Sequence, residues 1–229
     1  MSKRSSDTFD AILFDLDGTL IDTAPDMVAV LADMQTDYGR DRLAYDFARA
    51  HVSKGARRLV QLAFPDADDA RTGELHQEYL DRYEKAVCIE SRLFPGLGEL
   101  LDDLDANRLP WGIVTNKPQR MTDLLLKSLD LHERSACTVS GDSLPQRKPD
   151  PAPLLHAAEQ MGIRAENAVY VGDAAGDIQA GKAAKMFTVA ASYGYITADD
   201  DPGRWNADLI AASTAELTQF LRKRVNLHA

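Results

Sequence analysis

The stretch ILFDLDGTLID, Ile12 to Asp22, runs an apolar segment straight into two aspartates, Asp15 and Asp17, with Gly18 and Thr19 behind them. Successive side chains of a strand point to opposite faces, so a strand buried on both faces reads as an unbroken apolar run. A carboxylate closing such a run is costly to bury and calls for a reason other than packing. Five more short runs have the same form: WGIVTN (111–116), ACTVSG (136–141), AVYVGD (168–173), MFTVAAS (186–192) and ADLIAAS (207–213). Helix-length patterned segments, 118–130, 151–162 and 176–185, separate the later ones. Strand–helix alternation of this kind predicts an α/β fold, a doubly wound and mostly parallel sheet.

The interval from Thr23 to Arg92 breaks the alternation with helical patterning alone. Met27, Val30, Leu31, Met34 and Tyr38 recur at helical spacing and stop at Gly39; Leu75, Tyr79, Tyr83 and Val87 form a second stripe. Both stripes are expected to be helix-packing core. The domain reading is therefore a core of residues 1–22 and 93–229 with an inserted all-helical cap, 23–92. Linkers near Ile21–Ala24 and Ser91–Pro95 would act as a hinge between them.

The 229 residues carry a net charge of −10 and are 45% hydrophobic. That is a globular composition, and its charge argues against nucleic acid or an anionic membrane as partner. No uncharged apolar run reaches the about 18 residues needed to span a bilayer. The start, MSKRSSDTFD, has no apolar segment after its basic residues, so no secretory leader is expected. Two distant cysteines, Cys88 and Cys137, fit a reducing cytoplasm. The charge does not exclude a small phosphorylated metabolite as partner, which needs only a few cations placed locally, and a monomer or homodimer is expected.

In doubly wound sheets, ligands bind at the carboxyl ends of the strands. The polar residues ending these runs should converge there: Asp15 and Asp17, Thr115 and Asn116, Asp173 and Asp177 of GDAAGD, with Lys148 of RKPDP. Carboxylates so crowded repel one another unless a cation is bound, and an all-oxygen ligand set beside phosphate suits Mg²⁺. Together these residues resemble the haloacid dehalogenase superfamily of phosphatases. DLDGT is similar to its first motif, Thr115 of VTN to the second, Lys148 of KPDP to the third and GDAAGD to the fourth, in order over nearly the whole chain.

The resemblance implies that Asp15 is the nucleophile, forming an aspartyl-phosphate, and that Asp17 is the acid and base. It implies a sharp turn at Gly18 and Thr19, and phosphoryl oxygens held by Thr115, the Asn116 amide and Lys148. Mg²⁺ would be bound by Asp15, the Asp17 carbonyl and Asp173, with Asp177 orienting Lys148 or the metal.

Other readings of the same residues are weaker. A calcium loop beginning at Asp15 would need Gly at Leu20 and Glu at Asp26. GDIQAGKA, 176–183, nearly spells a phosphate-binding loop, but Ala183 stands where Ser or Thr should be. The dehalogenases lack a second aspartate in the first motif, and Asp17 is present; a sugar phosphomutase shares that motif and the cap. His51, His76, His132, His156 and His228 show no metal-ligand spacing. Lys117 reads equally as a phosphate contact and as a solvated lysine. DADDAR (66–71) and ADDDPGR (198–204) read as solvated loops, and GYITADDDPGRW (194–205), with Tyr195 and Trp205, as a strand connection in preference to a rim of the site.

Specificity is expected from the cap. In HVSKGARRLV (51–60), Gly55 interrupts the helical pattern among Lys54, Arg57 and Arg58. The cluster reads equally as a substrate-facing loop, with Lys54, Gly55 and Arg57 as binding residues, and as a solvated helix start. The segment resembles the cap of phosphoglycolate phosphatases. SKGAR, RLFPGL, WGIVTNKP and SYGYI resemble the branch that dephosphorylates N-acetylmuramic acid 6-phosphate. Both esters carry a carboxylate besides the phosphate, so a Lys54 or Arg57 contact to it is expected.

Overall fold

In a computed structural model of the protein, residues 8–225 are described. The first run forms β1, Ala11–Phe14, with every residue buried. After the loop that carries Asp15 and Asp17 come a short β2, Ile21–Asp22, and four helices: α1 (Ala24–Asp37), α2 (Tyr45–Ala50), α3 (Ala56–Ala63) and α4 (Asp69–Glu84). β3 (Arg92–Leu93) and α5 (Leu97–Ala106) lead into β4 (Trp111–Val114), α6 (Gln119–Ser128) and β5 (Cys137–Val139). The chain ends through α7 (Ala152–Gln160), β6 (Ala168–Gly172), α8 (Ala175–Ala183), β7 (Phe187–Ala191), β8 (Leu209–Ala211) and α9 (Thr214–Arg224).

The six runs are the six strands of one parallel sheet, ordered β5-β4-β1-β6-β7-β8. The chain runs outward from β1 through β4 to β5, then crosses to the other side of β1 at β6. Such a reversal leaves a crevice at the strands' carboxyl ends. Register sets what faces it: Phe14 lies opposite both Ile113 and Val171. The residues following β1, β4 and β6 therefore emerge at one edge of the sheet.

The helical block packs by the stripes its periodicity implies. Pro25 stands in the first turn of α1, where its missing N–H costs nothing. Met27, Val30, Leu31 and Met34 are buried, as are Leu75, Tyr79 and Tyr83 of α4. Tyr38 departs from its stripe: it is 41% exposed and donates to Glu78. The DADDAR segment has a structural task, since Asp68 caps α4 by accepting from Arg71 N at 2.8 Å. The Tyr79 hydroxyl donates to the Met27 carbonyl at 3.0 Å, tying α4 to α1. The core of this block is continuous with the core under the sheet through Leu16, Leu20, Ile21 and Ala24.

The two connectors are paired to each other. β2 and β3 form an antiparallel ribbon, with Ile21 opposite Leu93 and Asp22 opposite Arg92. Buried Asp26 accepts from the backbone N–H groups of Ile89, Glu90 and Ser91 at 2.9–3.0 Å, and from the Ser91 hydroxyl at 2.6 Å. Among the described residues, no helix is long and apolar enough to cross a membrane.

Candidate active site

Asp15 follows β1 directly, and its backbone N–H still donates to Val171 O at 2.8 Å, so the sheet holds its position. The chain then folds back on itself: the N–H groups of Leu20 and Ile21 both donate to Leu16 O. Gly18 sits at φ +80°, and a Cβ there would lie 2.1 Å from an Asp173 carboxylate oxygen. The turn thus needs glycine for its backbone angle and for the close approach of Asp173. Gly194 approaches from the other side, where close approach alone demands glycine, with Asp173 Cβ 2.4 Å from where its own Cβ would be.

Asp15, Asp173 and Asp177 are buried, and one carboxylate oxygen from each lies within 4.8 Å of the others. Lys148 Nζ is 2.7 Å from Asp15 and 2.7 Å from Asp177, and donates to Val114 O and the Tyr170 hydroxyl at 2.9 and 2.8 Å. Asn116 fixes this lysine's backbone with a reciprocal pair: its amide donates to Lys148 O at 3.0 Å and its carbonyl accepts from Lys148 N at 3.1 Å. Asp177 also accepts from Ala174 N at the start of α8, 3.0 Å away. Asp173 accepts from Tyr195 N at 2.8 Å and from the Ser53 hydroxyl of the helical block at 2.7 Å.

The electrostatics follow from burial. Desolvation pushes Asp15 up to about 7; Asp177 adds to the shift and Lys148 opposes it. Desolvation, then Asp15 and Asp177, hold Asp173 well above the ordinary carboxylate range. Burial works against the Lys148 charge, but Asp15 and Asp177 outweigh it and raise the ammonium above its usual value. Three buried carboxylates around one ammonium leave a net charge of −2 when all are ionised. An oxygen-only donor set with that deficit fits a hard divalent cation, which cancels the charge.

Asp17 lies at the rim of this cluster with its own partners. Its carboxylate accepts from the Thr23 hydroxyl at 2.6 Å and from Lys117 Nζ at 3.0 and 3.3 Å. Thr115, buried after β4, accepts from Lys117 N at 3.2 Å; its own hydroxyl proton has no acceptor among the described residues. Asp15, Asp17, Ser53, Thr115, Asn116, Lys117, Lys148 and Asp177 face a cavity of about 290 Å³ between the sheet edge and the helical block, while Asp173, Thr23, Tyr170 and Tyr195 do not.

Of the residues named from sequence, Asp15, Asp17, Thr115, Asn116, Lys148, Asp177 and Gly55 line that cavity, while Asp173 and Gly18 pack behind it. Lys54 and Arg57 do not line it. Lys54 pairs with Asp200 at 2.9 Å and Arg57 with Asp69 at 3.7 Å, both half exposed, because Gly55 turns the chain between them. Asp200 is the reason the ADDDPGR segment is more than a solvated loop. Lys117 is the converse: it is 8% exposed, not solvated, and bridges Asp17 to the Tyr83 hydroxyl at 3.0 Å. Tyr83 and Tyr79 pack as expected, and also line the cavity. Tyr195 is buried rather than a plain connection: its hydroxyl accepts from Thr23 N and Ala24 N at 2.7 and 2.9 Å and donates to Asp22 at 2.7 Å. His228 lies outside the described residues.

A parallel sheet whose switch point gathers buried aspartates and two buried lysines, beneath a block of helices, has the layout of a phosphate-transferring α/β hydrolase. The sequence model of the haloacid dehalogenase-like hydrolases matches residues 12–191, and the chain belongs to that family. It is a phosphatase of the family. It is 43% identical over 207 residues to a phosphoglycolate phosphatase of Xanthomonas campestris, covering 90% of this chain and 94% of that one. It is 41% identical over 212 residues to an N-acetylmuramic acid 6-phosphate phosphatase of Pseudomonas aeruginosa, covering 92% and 94%. A crystal structure described as a predicted phosphoglycolate phosphatase of Haemophilus somnus superposes with a TM-score of 0.82 at 25% identity, over 94% of this chain and 99% of that one.

Proposed function

We propose that the chain is an Mg²⁺-dependent phosphomonoesterase working through an aspartyl-phosphate, with N-acetylmuramic acid 6-phosphate as its substrate. The observation that carries the chemistry is the buried cluster of Asp15, Asp173 and Asp177 about Lys148, opening onto the cavity. Residues 1–22 and 93–229 are the catalytic core in this reading, and 23–92 the cap.

An Asp15 oxygen attacks phosphorus while Asp17 gives its proton to the departing alkoxide. Asp17 then removes a proton from the water that cleaves the acyl phosphate, releasing phosphate and restoring Asp15. Asp17 is separate from the three-carboxylate cluster, which suits a group that must gain and lose a proton while Asp15 stays ionised. Lys148 and the free Thr115 hydroxyl supply donors to the phosphoryl oxygens as charge moves onto them. Asp15, the Asp17 carbonyl and Asp173 would hold Mg²⁺, with Asp177 behind them. The ion supplies charge neutralisation that lets a phosphate dianion approach Asp15.

The cavity supports the choice of ester. At about 290 Å³ it lies near the lower end of sites for drug-sized ligands. Met27, Val52, Tyr79, Leu80 and Met121 give it an apolar wall. A sugar bearing acetamido and lactyl methyl groups uses such a wall; a two-carbon acid does not. The Pseudomonas relative bears the name of that activity. Phosphoglycolate is the second reading, supported by the Xanthomonas relative. The two free cysteines support a cytoplasmic site of action.

Phosphate release from N-acetylmuramic acid 6-phosphate, 2-phosphoglycolate, glucose 6-phosphate and β-glucose 1-phosphate tests the proposal. The muramyl ester should have the highest kcat/KM, and Asp15→Asn should release nothing. A higher value for 2-phosphoglycolate reverses the choice of ester. Interconversion of glucose phosphates without release makes the protein a mutase.

A further inference from the structure

Two cations reach the cavity, Lys148 and Lys117, and they are committed differently. Lys148 is surrounded by four oxygens, two of them from the catalytic carboxylates. Lys117 has Asp17 and Tyr83, and Asp17 keeps the Thr23 hydroxyl if the lysine turns away. The Tyr83 side is incomplete. Its oxygen accepts from Lys117, but its own proton has no acceptor among the described residues, although the side chain is 2% exposed. Burial, with Asp17 next, pushes this phenol well above its ordinary range, so it is a donor throughout neutral pH. A buried donor without an acceptor is costly, and a ligand oxygen relieves that cost.

We propose that Lys117 of the core and Tyr83 of the helical block form the receptor for the substrate's carboxylate, one oxygen to the ammonium and one to the phenol. This rests on the carboxylate-bearing ester argued above. It replaces Lys54 and Arg57, which are paired outside the cavity. The receptor spans both parts of the molecule, so a bound carboxylate ties the helical block to the core. Lys117 and Tyr83 are specificity residues; the phosphoryl group is left to Lys148 and Thr115.

The test compares N-acetylmuramic acid 6-phosphate with N-acetylglucosamine 6-phosphate, the same sugar without the lactyl ether and its carboxylate. Lys117 also touches Asp17, so Lys117→Met lowers turnover of both esters. The change that the substitution makes in the ratio of their kcat/KM values isolates the carboxylate, because the lactyl methyl lies against other residues. The wild type should favour the muramyl ester. Lys117→Met should cut the ratio by about 10- to 100-fold, as expected for a charged hydrogen bond. Tyr83→Phe, which keeps the ring packing, should cut it by about 3- to 10-fold, mainly through KM. Muramyl ester binding to Asp15→Asn should weaken in parallel when either change is added. A wild type that favours the muramyl ester, with variants that keep its ratio, overturns the receptor alone. A wild type indifferent to the carboxylate overturns the choice of ester and the receptor with it.

Discussion

Asp15 is held in the fold as a costly group. Its folded value near 7 lies above the 3.8 of an unperturbed aspartate, so folding favours its neutral form. The sign follows from linkage: the contribution of this group is intact below about pH 4 and is lost as pH rises through 7. Asp173 is shifted in the same direction by the same burial. A metal competes with these protons, so Mg²⁺ should raise the melting temperature more at pH 8 than at pH 5.5. In metal-free protein, Asp15→Asn should raise it at pH 8 and leave it nearly unchanged at pH 5. Thermal melts with Mg²⁺ and with chelator check both, and an equal Mg²⁺ shift at the two pH values contradicts the assignment.

At the scale of elements, the ribbon of β2 and β3 is short, and its order comes from two side chains that clasp the connectors. Asp26 gathers three backbone N–H groups and the Ser91 hydroxyl from the returning strand. Tyr195 holds Thr23, Ala24 and Asp22 on the outgoing one, and places its own backbone N–H on Asp173. Removing a carboxylate that satisfies several buried donors costs more than one ordinary hydrogen bond. Asp26→Ala should therefore destabilise by roughly 3 kcal/mol, read as a fall of about 6–12 °C in melting temperature. A fall under about 2 °C would mean that water replaces the carboxylate without penalty.

Across the whole molecule, the helical block meets the core through exposed ion pairs and through buried hydrogen bonds, Lys117 to Tyr83, Ser53 to Asp173 and Tyr195 with Thr23 and Ala24. Lys54–Asp200 and Arg120–Glu84 are exposed pairs, worth no more than about 1 kcal/mol each. Arg57→Ala should accordingly change kcat/KM by less than about 3-fold, and Lys54→Ala by less than about 5-fold. A loss beyond 30-fold at Arg57 would return it to the site.

The sheet was legible in the sequence because strands buried on both faces leave unbroken apolar runs, and the clustered aspartates because they end those runs. The helical block was legible from its 3.6-residue stripes. Those stripes say that Tyr83 is buried, but not that its hydroxyl meets Lys117, 34 residues on. Nor does a lysine one residue past Asn116 reveal whether it is solvated. Asp26 reads only as a misplaced calcium-loop position, and Tyr195 lies 173 residues from the Asp22 it clasps. Periodicity reports which face of an element avoids water. Which polar groups meet across that face is decided when distant segments close on one another, and desolvation then fixes what each group must bind.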